Sequence, residues 1–175
     1  MDSKKNELID LIEFNWQCLL MTRAIFNYKH FGIDNKYSSP SLYTKYNINV
    51  DVNWVNMGRF SSDFSAKQLQ YWHNANFLIR IYGLLDEFNI ISLKENRVKY
   101  PLLELIYFLR HKIGAHQSGI RKPKKKYIQE VNELFKKIGI KEMNEDSITN
   151  YNLAIDAVLY KIVLKLKEIV KEIQK

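Results

Sequence analysis

Residues 101–114 read PLLELIYFLRHKIG, and the fold turns on this stretch. Leu102, Leu105, Ile106, Leu109 and Ile113 recur at i, i+3, i+4, i+7 and i+11, which is one face of an α-helix. Pro101 heads the run, where the missing amide costs nothing and the fixed φ suits a first helical turn. Gly114 weakens the helix at the other end, and Gln117, Ser118 and Gly119 finish it. A helix so apolar on one side must bury that side against other elements, so the neighbouring sequence decides the architecture.

Downstream, a short helix is expected from about Lys125 to Ile138, with Ile128, Val131, Leu134 and Phe135 inward and Gly139 as its stop. Ser147 or Thr149 then caps a long last helix with the stripe Tyr151, Ile155, Val158, Ile162, Leu166, Ile169 and Ile173. Upstream, Ile90 to Val98 reads as a connector with a polar turn at Lys94 to Arg97. Before it, a helix starts near Asp63 or Ser65 and reaches Phe88. Its stripe is Leu69, Trp72, Asn76, Ile79 and Tyr82, flanked by Ala75, Leu78 and Leu85, with Asn89 as the stop. The first helix runs from Ser3 to about Tyr28, capped by Ser3, on Leu8, Ile12, Trp16, Leu19 and Phe26, with Ile9, Leu20 and Ala24 beside them. Trp16, Trp54 and Trp72 are all expected in the core.

Phe31 to Ser62 breaks the helical pattern. Within it Ile48, Val50, Val52 and Trp54 alternate with Asn47, Asn49, Asp51 and Asn53, the two-residue period of a half-buried strand. A lone strand needs a partner, which points to a hairpin with residues near Leu42 to Tyr46 or to pairing with another chain. The expected fold is therefore all-α: one domain over residues 1–175, an up-and-down bundle of about five helices with a partly extended insertion between the first two.

Composition narrows the function. The 175 residues are 46% apolar and 13% aromatic, enough for a real core. A net charge of +8 and a pI near 9.4 favour an anionic partner such as nucleic acid. Cys18 is the only cysteine and lies in the first helix, which excludes a disulfide framework or a cysteine zinc site within one chain. MDSKKNELID has no apolar signal core, and no apolar run approaches a membrane span. The expectation is a cytoplasmic protein without membrane contact. There is no glycine-rich phosphate loop, no His-Glu-x-x-His and no aspartate cluster with metal-site spacing. Neither metal nor cofactor is expected.

The charge is concentrated next to the deciding helix. Leu109 to Lys126 holds Arg110, Lys112, Arg121, Lys122, Lys124, Lys125 and Lys126, two histidines and no acid. Five cations in the six residues Arg121 to Lys126 suit a grip on a phosphate backbone, with Lys112 beside them. Arg110 and His116 are separated by five residues, and His111 follows Arg110 directly. On a continuous helix they would differ by roughly 120° and about 9 Å of rise. A helix broken at Gly114 lets His116 fold back toward Arg110. Arg23 and His30 show a similar spacing, but within one expected helix and with no glycine between them. His30 and His73 read as structural, His73 beside a core tryptophan.

Arg110, His111 and His116 on an all-α scaffold resemble the HEPN superfamily, small helical domains of which many are metal-independent endoribonucleases. That family's signature is an arginine, often followed by Asn, Asp or His, with a histidine after four to six intervening residues. The commonest form has four, and the residue at that position here is Ala115. The resemblance implies RNA cleavage through attack of the 2′-hydroxyl, with Arg110 and His116 catalytic and His111 supporting. It also implies a homodimer that brings two motifs together, of a toxin or abortive-defence type, with an antitoxin as a further partner. Two rivals stand beside it: a non-catalytic module of the same fold that binds RNA or nucleotide or pairs with a nucleotidyltransferase partner, and a helical interaction protein.

Overall fold

The computed structural model describes residues 2–25, 35–40, 47–52, 62–114 and 124–173. In chain order the elements are α1 (Asp2–Ile25), β1 (Asn35–Pro40), β2 (Asn47–Val52), α2 (Ser62–Glu87), α3 (Lys94–Lys99) and α4 (Pro101–Phe108). The last of these passes into a π-helical turn over Leu109–Ile113. Then follow α5 (Lys125–Lys137), α6 (Glu145–Thr149) and a second π turn (Ile155–Leu159) that leads into α7 (Tyr160–Ile173). Two compact units emerge: Met1–Leu19 with Tyr71–Lys175, and Leu20–Gln70.

The larger unit is an all-α bundle around one apolar core, to which α1, α2, α4, α5 and α7 all contribute. α4 carries the expected face, and Leu102, Leu103, Leu105, Ile106 and Leu109 are all buried. Leu103 lies off that stripe, so α4 is apolar on more than one side, as a helix packed against α3, α5 and α7 must be. Each such side chain contributes roughly 1.5–3 kcal/mol by leaving water. Pro101 occupies the first turn as expected. α5 buries Ile128, Val131, Leu134 and Phe135 and stops at Gly139, whose φ of 73° is left-handed. Asn89 ends α2 in the same conformation, φ 56°, while the Ile90 amide reaches back to the Leu85 carbonyl at 2.8 Å. In α1, Leu8, Ile12, Trp16 and Leu19 are buried, but Leu20 is exposed, and the helix already includes Asp2, one residue ahead of the expected start. Phe26 lies outside the described residues.

Three readings of the larger unit are corrected. In α2 the buried face is His73, Asn74, Phe77, Leu78, Ile81 and Leu85, whereas Trp72 is 61% exposed and Asn76, Ile79 and Tyr82 are only half buried. Apolar residues surround much of this helix, so two stripes compete. The winner accepts Asn74 because its amide donates to the carbonyls of Tyr151 at 2.7 Å and Leu153 at 3.1 Å. Those same bonds explain the second correction. No long helix starts at Ser147 or Thr149: α6 is a short helix capped by Asn144, whose side chain accepts the Ser147 amide. Tyr151 then turns left-handed at φ 55°, and the helix begins afresh at Ile155. The Tyr151 and Leu153 carbonyls, which a continuous helix would use internally, bond to α2 instead. Third, Lys94 to Arg97 belongs to the helix α3 rather than to a turn. Asn96 and Arg97 secure it by donating to the carbonyls of Ile90 (2.9 Å) and Ile91 (2.6 Å).

The smaller unit contains an antiparallel pair in which Tyr37 faces Val50 and Ser39 faces Ile48. The strand expected from Asn47 to Trp54 is β2, Asn47–Val52, and its partner is Asn35–Pro40 rather than the segment near Leu42 to Tyr46. Residues 41–46 and Trp54 lie outside the described residues.

Candidate nucleic-acid interface

The end of α4 is built by one glycine and one tyrosine. Gly114 sits at φ 93°, ψ 43°, a left-handed conformation that glycine adopts without steric cost, and its amide donates to the Leu109 carbonyl five residues back. The same carbonyl accepts the Tyr151 hydroxyl at 2.6 Å. Together these bonds stabilise the wider π turn, a form often found at functional sites. The helix thus ends at Gly114, earlier than the expected stop at Gln117 to Gly119. Arg110, His111 and Lys112 occupy the final turn, where the helix dipole favours cations.

These three side chains differ in environment. Arg110 is half buried with Nη1 shielded from water, and its charge reaches two phenols. Burial pushes the Tyr151 hydroxyl well above the ordinary phenol range and also raises Tyr82, and Arg110 opposes both shifts. His111 is exposed. Its ring stands edge-on to Tyr82 at 5.0 Å and tilts against Tyr107 at 4.7 Å. Arg97 lies over the Tyr107 ring at 4.3 Å and is itself fixed by Glu104 at 3.1 Å and by the Ile91 and Ser92 carbonyls.

Beyond Tyr107 the aromatic contacts continue. Phe108 is 6.4 Å from Tyr107 and 6.2 Å from Tyr127 at the start of α5. Lys112 and Lys126 bring their ammonium groups to within 5.6 and 5.1 Å of the Tyr127 ring centre. Exposed lysine–aromatic contacts of this kind are worth only about 0.5–1 kcal/mol each, so they yield readily to a better partner. Lys124, Lys125 and Lys126 are exposed at the head of α5, which has no acid in its first turn. Cations at the positive end of a helix dipole oppose folding by about 0.3–1 kcal/mol each.

Of the residues singled out by sequence, Arg110, His111 and Lys112 share the π turn, and Lys126 joins Lys112 at Tyr127. His116, Arg121, Lys122, His30 and the side chain of Arg23 lie outside the described residues. His73 is buried next to exposed Trp72, at 5.3 Å between rings. Cys18 lies in α1, as expected, and is exposed there. Tyr82, Tyr107, Phe108 and Arg97 were not legible as site residues. The available signal was spacing: Tyr107 lies four residues before His111, and Phe108 four before Lys112. Among the described residues no three His, Cys, Asp or Glu side chains form a metal-holding group, and no helix is long and apolar enough to cross a membrane. No family model, characterised protein or solved structure matches the chain.

Proposed function

We propose that this chain is a metal-independent endoribonuclease of the HEPN type, acting as a homodimer in a toxin or abortive-defence role. The observation that supports this reading is the end of α4: Gly114 stops the helix immediately after a π turn that holds Arg110 and His111. The chain therefore leaves the helix two residues before His116, a break that the spacing of Arg110 and His116 requires.

In this reading a histidine takes the proton of a ribose 2′-hydroxyl. The 2′-oxygen bonds to the adjacent phosphorus, the bond from phosphorus to the 5′-oxygen breaks, and a second proton donor protonates the leaving oxygen. The ends are a 2′,3′-cyclic phosphate and a 5′-hydroxyl. His116 serves as base or acid, its ordinary pKa of roughly 6.5 suiting either task. Arg110 offsets the charge that builds on the phosphoryl oxygens through its planar fork of donors. His111 assists from its exposed position, and Lys112, Arg121, Lys122, Lys124, Lys125 and Lys126 hold the backbone. A second motif across a dimer interface supplies the complementary proton-transfer group. An antitoxin partner would restrain such an activity.

The test is cleavage of single-stranded RNA in EDTA by wild type, Arg110→Ala and His116→Ala, with the product ends identified. Cyclic-phosphate ends from wild type, and loss of at least about a hundredfold in rate in each variant, support the reading. Equal rates in all three, or no cleavage by wild type, would overturn it.

A further inference from the structure

From the end of α4 to the head of α5 the rings form a continuous row, of which only His111 enters the proposed reaction. His111, Tyr107, Phe108 and Tyr127 follow one another at 4.7, 6.4 and 6.2 Å between ring centres. All three six-membered rings are only partly buried against the core. At one end Arg97 backs Tyr107, with its charge already neutralised by Glu104. At the other, Lys112 and Lys126, from two different elements, converge on Tyr127. Aromatic faces flanked by mobile cations are what an unpaired nucleic-acid strand uses: bases stack on rings while ammonium groups meet phosphates. A duplex keeps its base faces stacked internally and cannot use such rings.

We propose that the row Tyr107–Phe108–Tyr127 is a stacking platform for the unpaired bases of single-stranded RNA, with Lys112 and Lys126 turning from the Tyr127 ring to the strand's phosphates. The proposal rests on the reading of RNA as the partner and adds how a single strand is held, by its bases. Stacking on the Tyr127 face displaces a lysine from it, and the displaced charge is then free for the backbone. The sequence between Leu109 and Lys126 has no acidic residue to compete for those lysines.

The probe is a fluorescein-labelled 12-nucleotide 2′-O-methyl RNA, which lacks the attacking hydroxyl, so binding is read by anisotropy without cleavage. It is titrated alone and annealed to its complement. Charge alone favours the duplex, which carries more phosphates; stacking reverses the order, and the single strand is expected to bind at least about tenfold more tightly. Tyr127→Leu is expected to weaken single-strand binding about tenfold at an unchanged salt slope, and Tyr127→Phe, which keeps the ring, to bind like wild type. Lys112→Gln and Lys126→Gln are each expected to lower the log–log salt slope by about 0.7. Thermal melting of each variant confirms its fold, and Tyr107→Leu provides a second ring deletion on a different element. Duplex binding as tight as single-strand binding, or unchanged affinity in both leucine variants, would overturn the platform. Cleavage by wild type is scored separately on ordinary RNA, so an active enzyme with unaffected leucine variants contradicts the platform alone. Ring-dependent binding without cleavage contradicts the nuclease alone.

Discussion

The Tyr151 hydroxyl donates to the Leu109 carbonyl at 2.6 Å, one residue before Arg110, from a backbone held left-handed at φ 55°. Asn74 in turn holds the Tyr151 and Leu153 carbonyls, so a chain of bonds runs from α2 through residue 151 to the turn that carries Arg110. Tyr151→Phe keeps the ring and removes one bond from a carbonyl that retains the Gly114 amide. It should cost about 1 kcal/mol in urea unfolding. The alkaline limb of the stability profile gives a second check. Burial raises the Tyr151 pKa above its unfolded value. The native state therefore binds more protons than the unfolded chain above about pH 10, and stability contributed there falls as pH rises further. Tyr151→Phe should flatten that fall; an alkaline limb identical to wild type would contradict the assignment. Sequence could not reveal this residue's role. Its position fits the apolar stripe of the last helix, and only the Asn74 amide, buried by the less obvious of two α2 stripes, shows why the helix starts later.

Among the elements, two glycines isolate opposite backbone effects. A Cβ added at Gly83 or at Gly139 would meet nothing within 4 Å, so packing does not enter either substitution. Gly83 lies inside α2, and Gly83→Ala should stabilise the protein by about 0.5–1 kcal/mol. Gly139 ends α5 at φ 73°, and Gly139→Ala should destabilise it by about 1 kcal/mol. Denaturant midpoints at constant slope measure both; equal signs would contradict the backbone account. α4 was legible because its apolar spacing is unbroken from Leu102 to Ile113 and Pro101 marks its start. α2 was less so, because Trp72 and Phe77 offer rival faces and the choice depends on a polar residue satisfied from residues 151 and 153. The π turn was hidden altogether: Gly114 announces a stop, but no local signal shows that the Leu109 carbonyl is also held by a tyrosine 42 residues further on.

For the whole molecule, the all-α bundle was readable from helical spacing. The strand at Asn47 to Val52 was readable from alternation, although its partner was not, because Asn35–Pro40 carries little strand pattern of its own. The basic end of α4 was visible as charge, while the grouping of the rings beside it was not. That grouping of partly buried rings arises only where α4 and α5 meet. A homodimer is part of the account and should sediment at twice the 20.9 kDa chain mass, with no change at high salt if apolar contacts hold it. The measurement that bears most directly on the central claim is single-turnover cleavage of single-stranded RNA in excess EDTA by wild type and by Arg110→Ala. The account predicts 2′,3′-cyclic phosphate ends from wild type and a rate at least about a hundredfold lower in the variant. Cleavage that disappears with EDTA, or that Arg110→Ala leaves unchanged, would contradict it.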